Sequence, residues 1–101
     1  MKRGKKPERV DDVLGRVLEE RGFAGRLAQS RVVQEWSSLV GDHIAAVTRA
    51  EVVSANNVLI VSVKTHSWMS ELALLEREIL TTINRATPRN PIVKIHWQLM
   101  R

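Results

Sequence analysis

The side chains in this sequence best suited to chemistry are cations, and the chemistry they suit is contact with phosphate. Sixteen Lys and Arg against eleven Asp and Glu leave a formal charge of +5 over 101 residues. Eleven of the sixteen are Arg, whose planar guanidinium pairs two-pronged with phosphate oxygens and stacks on bases. Lys2, Arg3, Lys5, Lys6 and Arg9 crowd the first nine residues, with one acid, a Gly and a Pro among them. Lys64 and His66 bracket Thr65 between two apolar runs, and Arg85, Arg89 and Lys94 surround a stretch broken by two prolines. Basic residues placed in arms and junctions favour a polyanionic partner such as nucleic acid. The plainer alternative is charge that serves solubility alone.

Other chemistries find no constellation. His43, His66 and His96 stand singly, with no i, i+4 pair of the kind that holds a metal on a helix. Cysteine is absent, which removes disulfides, a thiol nucleophile and Cys-ligated metal. The chain has no G-x-x-x-x-G-K-S/T phosphate loop and no G-x-S-x-G elbow. Its carboxylates fall mostly on helix faces opposite the apolar stripes, and one small core leaves little room for a deep pocket. The reading is therefore non-enzymatic, with no cofactor, metal or small-molecule substrate. No apolar run approaches the ~20 residues that span a bilayer, and no secretory signal is visible. A cytoplasmic protein without a membrane partner is expected.

The elements that must position these cations are organised around residues 58–83. Val58 to Val63 is almost wholly β-branched or aliphatic, as in a buried strand. Trp68, Leu72, Leu75, Ile79 and Ile83 then recur at i, i+4, i+7, i+11 and i+15, one stripe of a helix. Thr65 and Ser67 can cap that helix, which is expected over Ser67 to Arg85 with Trp68 as a core anchor and Glu71, Glu76, Arg77 and Glu78 on an idle solvated face. Upstream, residues 1–9 read as a flexible basic arm and 10–101 as a single domain. Val10, Val13, Leu14, Val17 and Leu18 mark a first amphipathic helix stopped by Gly22. A second runs from Arg26 or Leu27 to about Leu39 with Leu27, Val32, Val33, Trp36, Leu39 and Val40 inward, a bend or restart at Ser30, and an end at Gly41. Trp36 is read as a core anchor, and Asp42 as the cap of a short third turn.

Strands are expected at Thr48–Ser54 and Val58–Lys64, joined by Asn56-Asn57, since Asn tolerates positive φ. Leu59, Val61 and Val63 should face the helices. A last strand over Ile92–Leu99 should turn Val93, Ile95, Trp97 and Leu99 inward and Lys94, His96 and Gln98 outward. The order α-α-β-β-α-β gives an α+β domain, a three-stranded sheet with helices packed on one face. Gly22-Phe23-Ala24-Gly25 has the spacing of the KH backbone clamp, but a helix C-cap and connector with Phe23 in the core explains it better.

Trp36-x-x-Leu39-Val40-Gly41-x-x-Ile44-Ala45-x-x-Thr48 resembles the W-x-x-V/L-V-G-x-x-I/L-A-x-x-S/T block of the DciA family of bacterial replicative-helicase loaders. Val58-Leu59-Ile60-Val61-x-Val63, Ser67-Trp68-x-x-Glu71-Leu72 and Ile83-Asn84 resemble that family's second block. In this chain the Ser adjoins Trp68 instead of standing one residue earlier, and the hairpin turn is Asn-Asn where Asp-Gly or Gly-Gly is frequent. The resemblance covers about residues 8–99. It implies a KH-like (type II-like) domain, in which a clamping G-x-x-G would follow the long helix, where Asn84 to Pro88 stands here; Gly22 and Gly25 are in the wrong place for it.

The resemblance further implies a DNA-binding accessory that recruits or loads a DnaB-type helicase in bacterial DNA replication, near the nucleoid and on single-stranded or forked DNA. On that reading phosphate contacts come from Lys2, Arg3, Lys5, Lys6, Arg9, Lys64, His66, Arg85, Arg89 and Lys94. Family members often carry a disordered C-terminal tail; with the sequence ending at Arg101, any function of that tail is expected to be absent or supplied by the basic arm. The alternatives are a KH-like RNA-binding module and a protein adaptor without a nucleic-acid role.

Overall fold

A computed structural model describes residues 23–101; the expected arm, the first amphipathic helix and Gly22 lie outside them. From Phe23 onward the order is α1 (Phe23–Gln34), α2 (Trp36–Val40), α3 (Asp42–Ala45), β1 (Thr48–Val53), β2 (Val58–Val63), α4 (His66–Leu74), α5 (Glu76–Ile83), a 3-10 turn (Asn84–Ala86) and β3 (Lys94–Leu99). The sheet runs β1-β2-β3, with β1 antiparallel and β3 parallel to β2. α1 and α3 lie on β1, α4 on β2 and β3, and α5 on β3. This is the expected α+β architecture, a three-stranded sheet with its helices on one face.

The β-branched run of β2 takes the middle because it has both neighbours to satisfy and one face to bury. Leu59, Val61 and Val63 are fully buried beneath the helices, as the alternation requires. They meet Val32, Trp36, Leu72, Ile79, Ile83 and Ile95 in one core. At about 1.5–3 kcal/mol for each large aliphatic side chain withdrawn from water, this cluster is the main stabilising term. Trp36 is the anchor its spacing suggests: its Nε1 donates to Thr48 Oγ1 at 2.8 Å, and that hydroxyl donates to the Ile44 carbonyl at 2.6 Å. The indole thus buries its ring without stranding its N–H. Gly41 ends α2 at φ 89, a conformation that costs glycine nothing.

The structure corrects several helical expectations. The break in the second predicted helix falls at Glu35, not Ser30, and Leu27 is 55% exposed. The long helix starts at His66 because Thr65 Oγ1 accepts from the Trp68 amide at 3.1 Å. It then breaks at Leu75 (φ −97, ψ 6), restarts at Glu76 and ends at Ile83. Leu72, Ile79 and Ile83 are buried, but the break interrupts the stripe, and Trp68 and Leu75 are 39% and 41% exposed. Trp68 is therefore no core anchor. Glu76 is not idle: its carboxylate accepts from the Ile95 amide at 3.1 Å and from Trp97 Nε1 at 3.0 Å.

The last strand begins at Lys94. Ahead of it, Asn84 grips Ile92 from both sides, donating through Nδ2 to its carbonyl (2.9 Å) and accepting from its amide at Oδ1 (2.8 Å). That clamp buries Ile92 and leaves Val93, expected inside, 61% exposed; Leu99 at the strand end is 36% exposed. Ile95 is buried as expected, and Trp97 packs half-buried against the core.

Gly25 lies inside α1, not in a connector, and is needed there for close approach. A Cβ at this position would stand 2.6 Å from Asn90 Cβ in the loop before β3. Replacing a helical Gly by Ala ordinarily stabilises by about 1 kcal/mol. Here the overlap outweighs that gain, and Gly25→Ala is expected to destabilise the domain by about 1–3 kcal/mol. Asn90→Gly in the same chain should recover part of the loss. Urea midpoints test both variants; a Gly25→Ala protein more stable than the parent would refute the close approach.

Candidate nucleic-acid interface

The sheet face turned away from the helices carries cations at both ends and a polar ladder between them. Register places Arg49 beside Ser62, His96 beside Ile60, Lys94 beside Val58 and Gln98 beside Ser62. A bulge at Glu51, where pairing shifts between Ala50 and Val52, reverses the alternation of β1. Val52 consequently points outward, 51% exposed. Arg49 Nε donates to Glu51 Oε2 at 2.8 Å, Ser62 Oγ donates to the same oxygen at 2.7 Å, and Gln98 Nε2 donates to Ser62 Oγ at 3.1 Å. This chain of bonds crosses all three strands and buries Ser62, an outward position, to 2% exposure. It floors a shallow depression of about 400 Å³ that Ile60 and Arg101 also line.

The sequence-predicted cations among the described residues divide between the two ends of the sheet. At one end, Lys64 follows β2, its amide bonded to the Val47 carbonyl, and His66 opens α4 two residues later. Arg49 and Arg101 join them there, since Thr48 pairs with Val63 and the Met100 amide bonds the Val63 carbonyl. At the other end, Gln29 of α1 donates through Nε2 to Asn57 Oδ1 in the hairpin turn (3.0 Å) and to the Asn90 carbonyl (2.8 Å). This gathers Arg26, one turn before Gln29, with Arg85, Arg89 and Lys94. All of these side chains are exposed. The five steps between the six residues of β2, at about 3.3 Å each, separate the two ends by about 17 Å. Lys2, Arg3, Lys5, Lys6 and Arg9 lie outside the described residues.

Arg49 and Arg101 escape a sequence reading because a lone Arg in an alternating strand or at a chain end looks like any solvated side chain. The bulge that pairs Arg49 with Glu51 has no signature in the letters. Trp68 belongs to a different surface: it shares a small depression with Ser67 and Glu71, a carboxylate that repels phosphate. Among the described residues no cluster of His, Asp and Glu suits a metal ion, and no helix is long and apolar enough to cross a membrane.

The hydrogen bond from Arg49, then that from Ser62, holds the Glu51 carboxyl below its ordinary 4.5. A depressed carboxyl stabilises the fold above the unfolded value and loses that contribution as pH falls through the lower folded value. The Glu51 carboxyl carbon, followed by NMR, should therefore titrate below 4.5. Arg49→Ala should raise its midpoint. A midpoint that ignores Arg49→Ala would show that the pair exerts no hold in solution.

A profile of the family described as Dna[CI] antecedent, DciA, matches residues 9–96. A UPF0232 protein of Corynebacterium glutamicum is 30% identical over 88 residues, covering 87% of this chain and 49% of its own length. Another from Mycobacterium leprae is 28% identical over 90 residues, covering 88% of this chain and 47% of its own. A third from Mycolicibacterium smegmatis is 28% identical over 78 residues, 76% of this chain and 39% of its own. The chain thus spans about half or less of the length of these relatives. With the profile running across nearly all of the described fold, both tryptophan blocks included, the chain belongs to the DciA family.

Proposed function

We infer that this domain is a non-enzymatic DNA-binding accessory of bacterial DNA replication that brings a DnaB-type helicase to single-stranded or forked DNA. The observation that carries the reading is the grouping of exposed cations at the two ends of the sheet. Lys64, His66, Arg49 and Arg101 stand at one end, and Arg26, Arg85, Arg89 and Lys94 at the other. Glu51, the carboxylate on the outer sheet face, is already held by Arg49 and Ser62. The two groups stand about 17 Å apart, so one backbone crossing the sheet can meet cations at both ends. Phosphate contact of this kind positions a backbone and reads no sequence, which suits a protein that must act wherever a fork lies. The basic residues Lys2 to Arg9 extend the same chemistry, and the working place is the cytoplasm at the nucleoid. The family, and not any site geometry, supports the helicase as partner.

Fluorescence anisotropy with single-stranded DNA at several salt concentrations tests the phosphate half. Each neutralised phosphate of a single strand adds about −0.7 to the slope of log K against log salt. Lys64→Glu with Lys94→Glu should make the slope shallower by about 1.4, the share of two contacts. Binding that is absent at low salt, or independent of salt, removes this half of the reading. Matched RNA and DNA oligomers in competition separate the DNA reading from an RNA one, because only RNA offers a 2′-hydroxyl. The helicase half fails if the purified protein neither co-elutes with its helicase nor increases helicase loading.

A further inference from the structure

We propose that the depression on the outer face of the sheet holds one unstacked base of a single strand. The proposal rests on the reading above, in which a nucleic-acid backbone crosses the sheet between two cation groups, and it names what the bases meet on the way. The depression, about 400 Å³, lies against Val52 of β1, Ile60 of β2 and Gln98 of β3, with Arg49 and Arg101 also in its wall. Val52 and Ile60 pair across the two strands and turn away from the helices. The first is 51% exposed and the second half-buried. Two β-branched side chains in register form an aliphatic plate, and His96 continues the row on β3, beside Ile60. A base laid on this plate is withdrawn from water on one face, and the guanidinium of either arginine can cover the other.

The polar atoms around the plate decide the kind of occupant. Arg49 and Ser62 both donate to Glu51 Oε2, and Gln98 donates through Nε2 to Ser62. Among the described residues no donor reaches Glu51 Oε1 or Gln98 Oε1. The edge of thymine or guanine carries an N–H beside a carbonyl, so the N–H can donate to Glu51 Oε1 while the carbonyl accepts from an arginine. In a duplex that edge is taken by the partner base, so the depression suits an unpaired one. A phosphate is repelled by the same carboxylate. The backbone therefore stays with the cations at the two ends of the sheet, and a base fills the space between them.

The test uses the full chain and two oligomers of equal phosphate count, a thymidine 12-mer and a 12-mer of abasic tetrahydrofuran units. At equal salt the thymidine oligomer should bind about tenfold more tightly, the share of one stacked base. The slope of log K against log salt should be the same for both, since it counts phosphates. Ring current from the base should move the methyl resonances of Val52 and Ile60 upfield with the thymidine oligomer and leave them in place with the abasic one. Glu51→Gln keeps the size of the side chain and an oxygen for Arg49, but turns the free acceptor into a donor. It should tighten binding of the abasic oligomer by removing a negative charge, and reduce the thymidine advantage to about threefold or less. Equal, salt-dependent binding of the two oligomers overturns the base site and leaves the phosphate reading standing; absence of all binding overturns both. The base site also falls if Glu51→Gln leaves the thymidine advantage unchanged. It falls equally if an oligoglutamate of the same length moves the Val52 and Ile60 methyls as the thymidine oligomer does, which would mark a general anion surface.

Discussion

The buried amide of Gln29 is the interaction on which one whole end of the molecule depends. A primary amide withdrawn from water costs a few kcal/mol unless its hydrogen bonds are replaced. Here the side chain is 2% exposed, and its Nε2 donates to both the hairpin turn and the loop before β3. The Asn90 carbonyl it reaches also accepts from the buried Thr87 hydroxyl at 2.9 Å. α1, the β1–β2 turn and the proline loop meet through these bonds, through the contact of Gly25 with Asn90 and through the Val93 amide, which donates to the Asn57 carbonyl at 2.9 Å. Removing one member leaves the others buried and unsatisfied, which is why such a knot confers specificity out of proportion to its number of bonds.

A second polar pin stands at the opposite end, where Trp36 bonds Thr48 and Thr48 bonds Ile44. Between the two pins lies the apolar core, which is indifferent to direction and could accept small shifts of its helices. The pins remove that freedom at the ends of the strands, where the cations are carried. A surface that binds a regular backbone needs its charges at a fixed separation more than it needs any one of them, and the pins fix that separation through β2.

The alternation of β2, the Trp36 spacing, the Thr65 cap and the Asn56-Asn57 turn were all legible in the sequence, because each rests on interactions within a few residues or on burial of one face. Several of the failures share a different cause. The exposure of Val93 and the burial of Ile92 and Ser62 each accompany a hydrogen bond to a residue distant in sequence. Asn84 re-aims Ile92 across eight positions, and Glu76 reaches Ile95 and Trp97 across about twenty. Periodicity counts apolar residues and is blind to such polar partners. Of the site, the cations at junctions could be named in advance; their division into two ends could not, since it depends on the parallel pairing of β3.

Glu76 shows how such bonds tie a helix start to the edge of the sheet. β3 is an edge strand, and an unpaired edge amide next to a half-buried indole N–H is a liability, open to strand pairing with another chain. One carboxylate answers both donors, but only from a position at the start of α5, where the helix dipole also favours a negative charge. The long helix interrupts at Leu75, one residue before Glu76, so the carboxylate that covers the sheet edge stands in the first turn of the restarted segment.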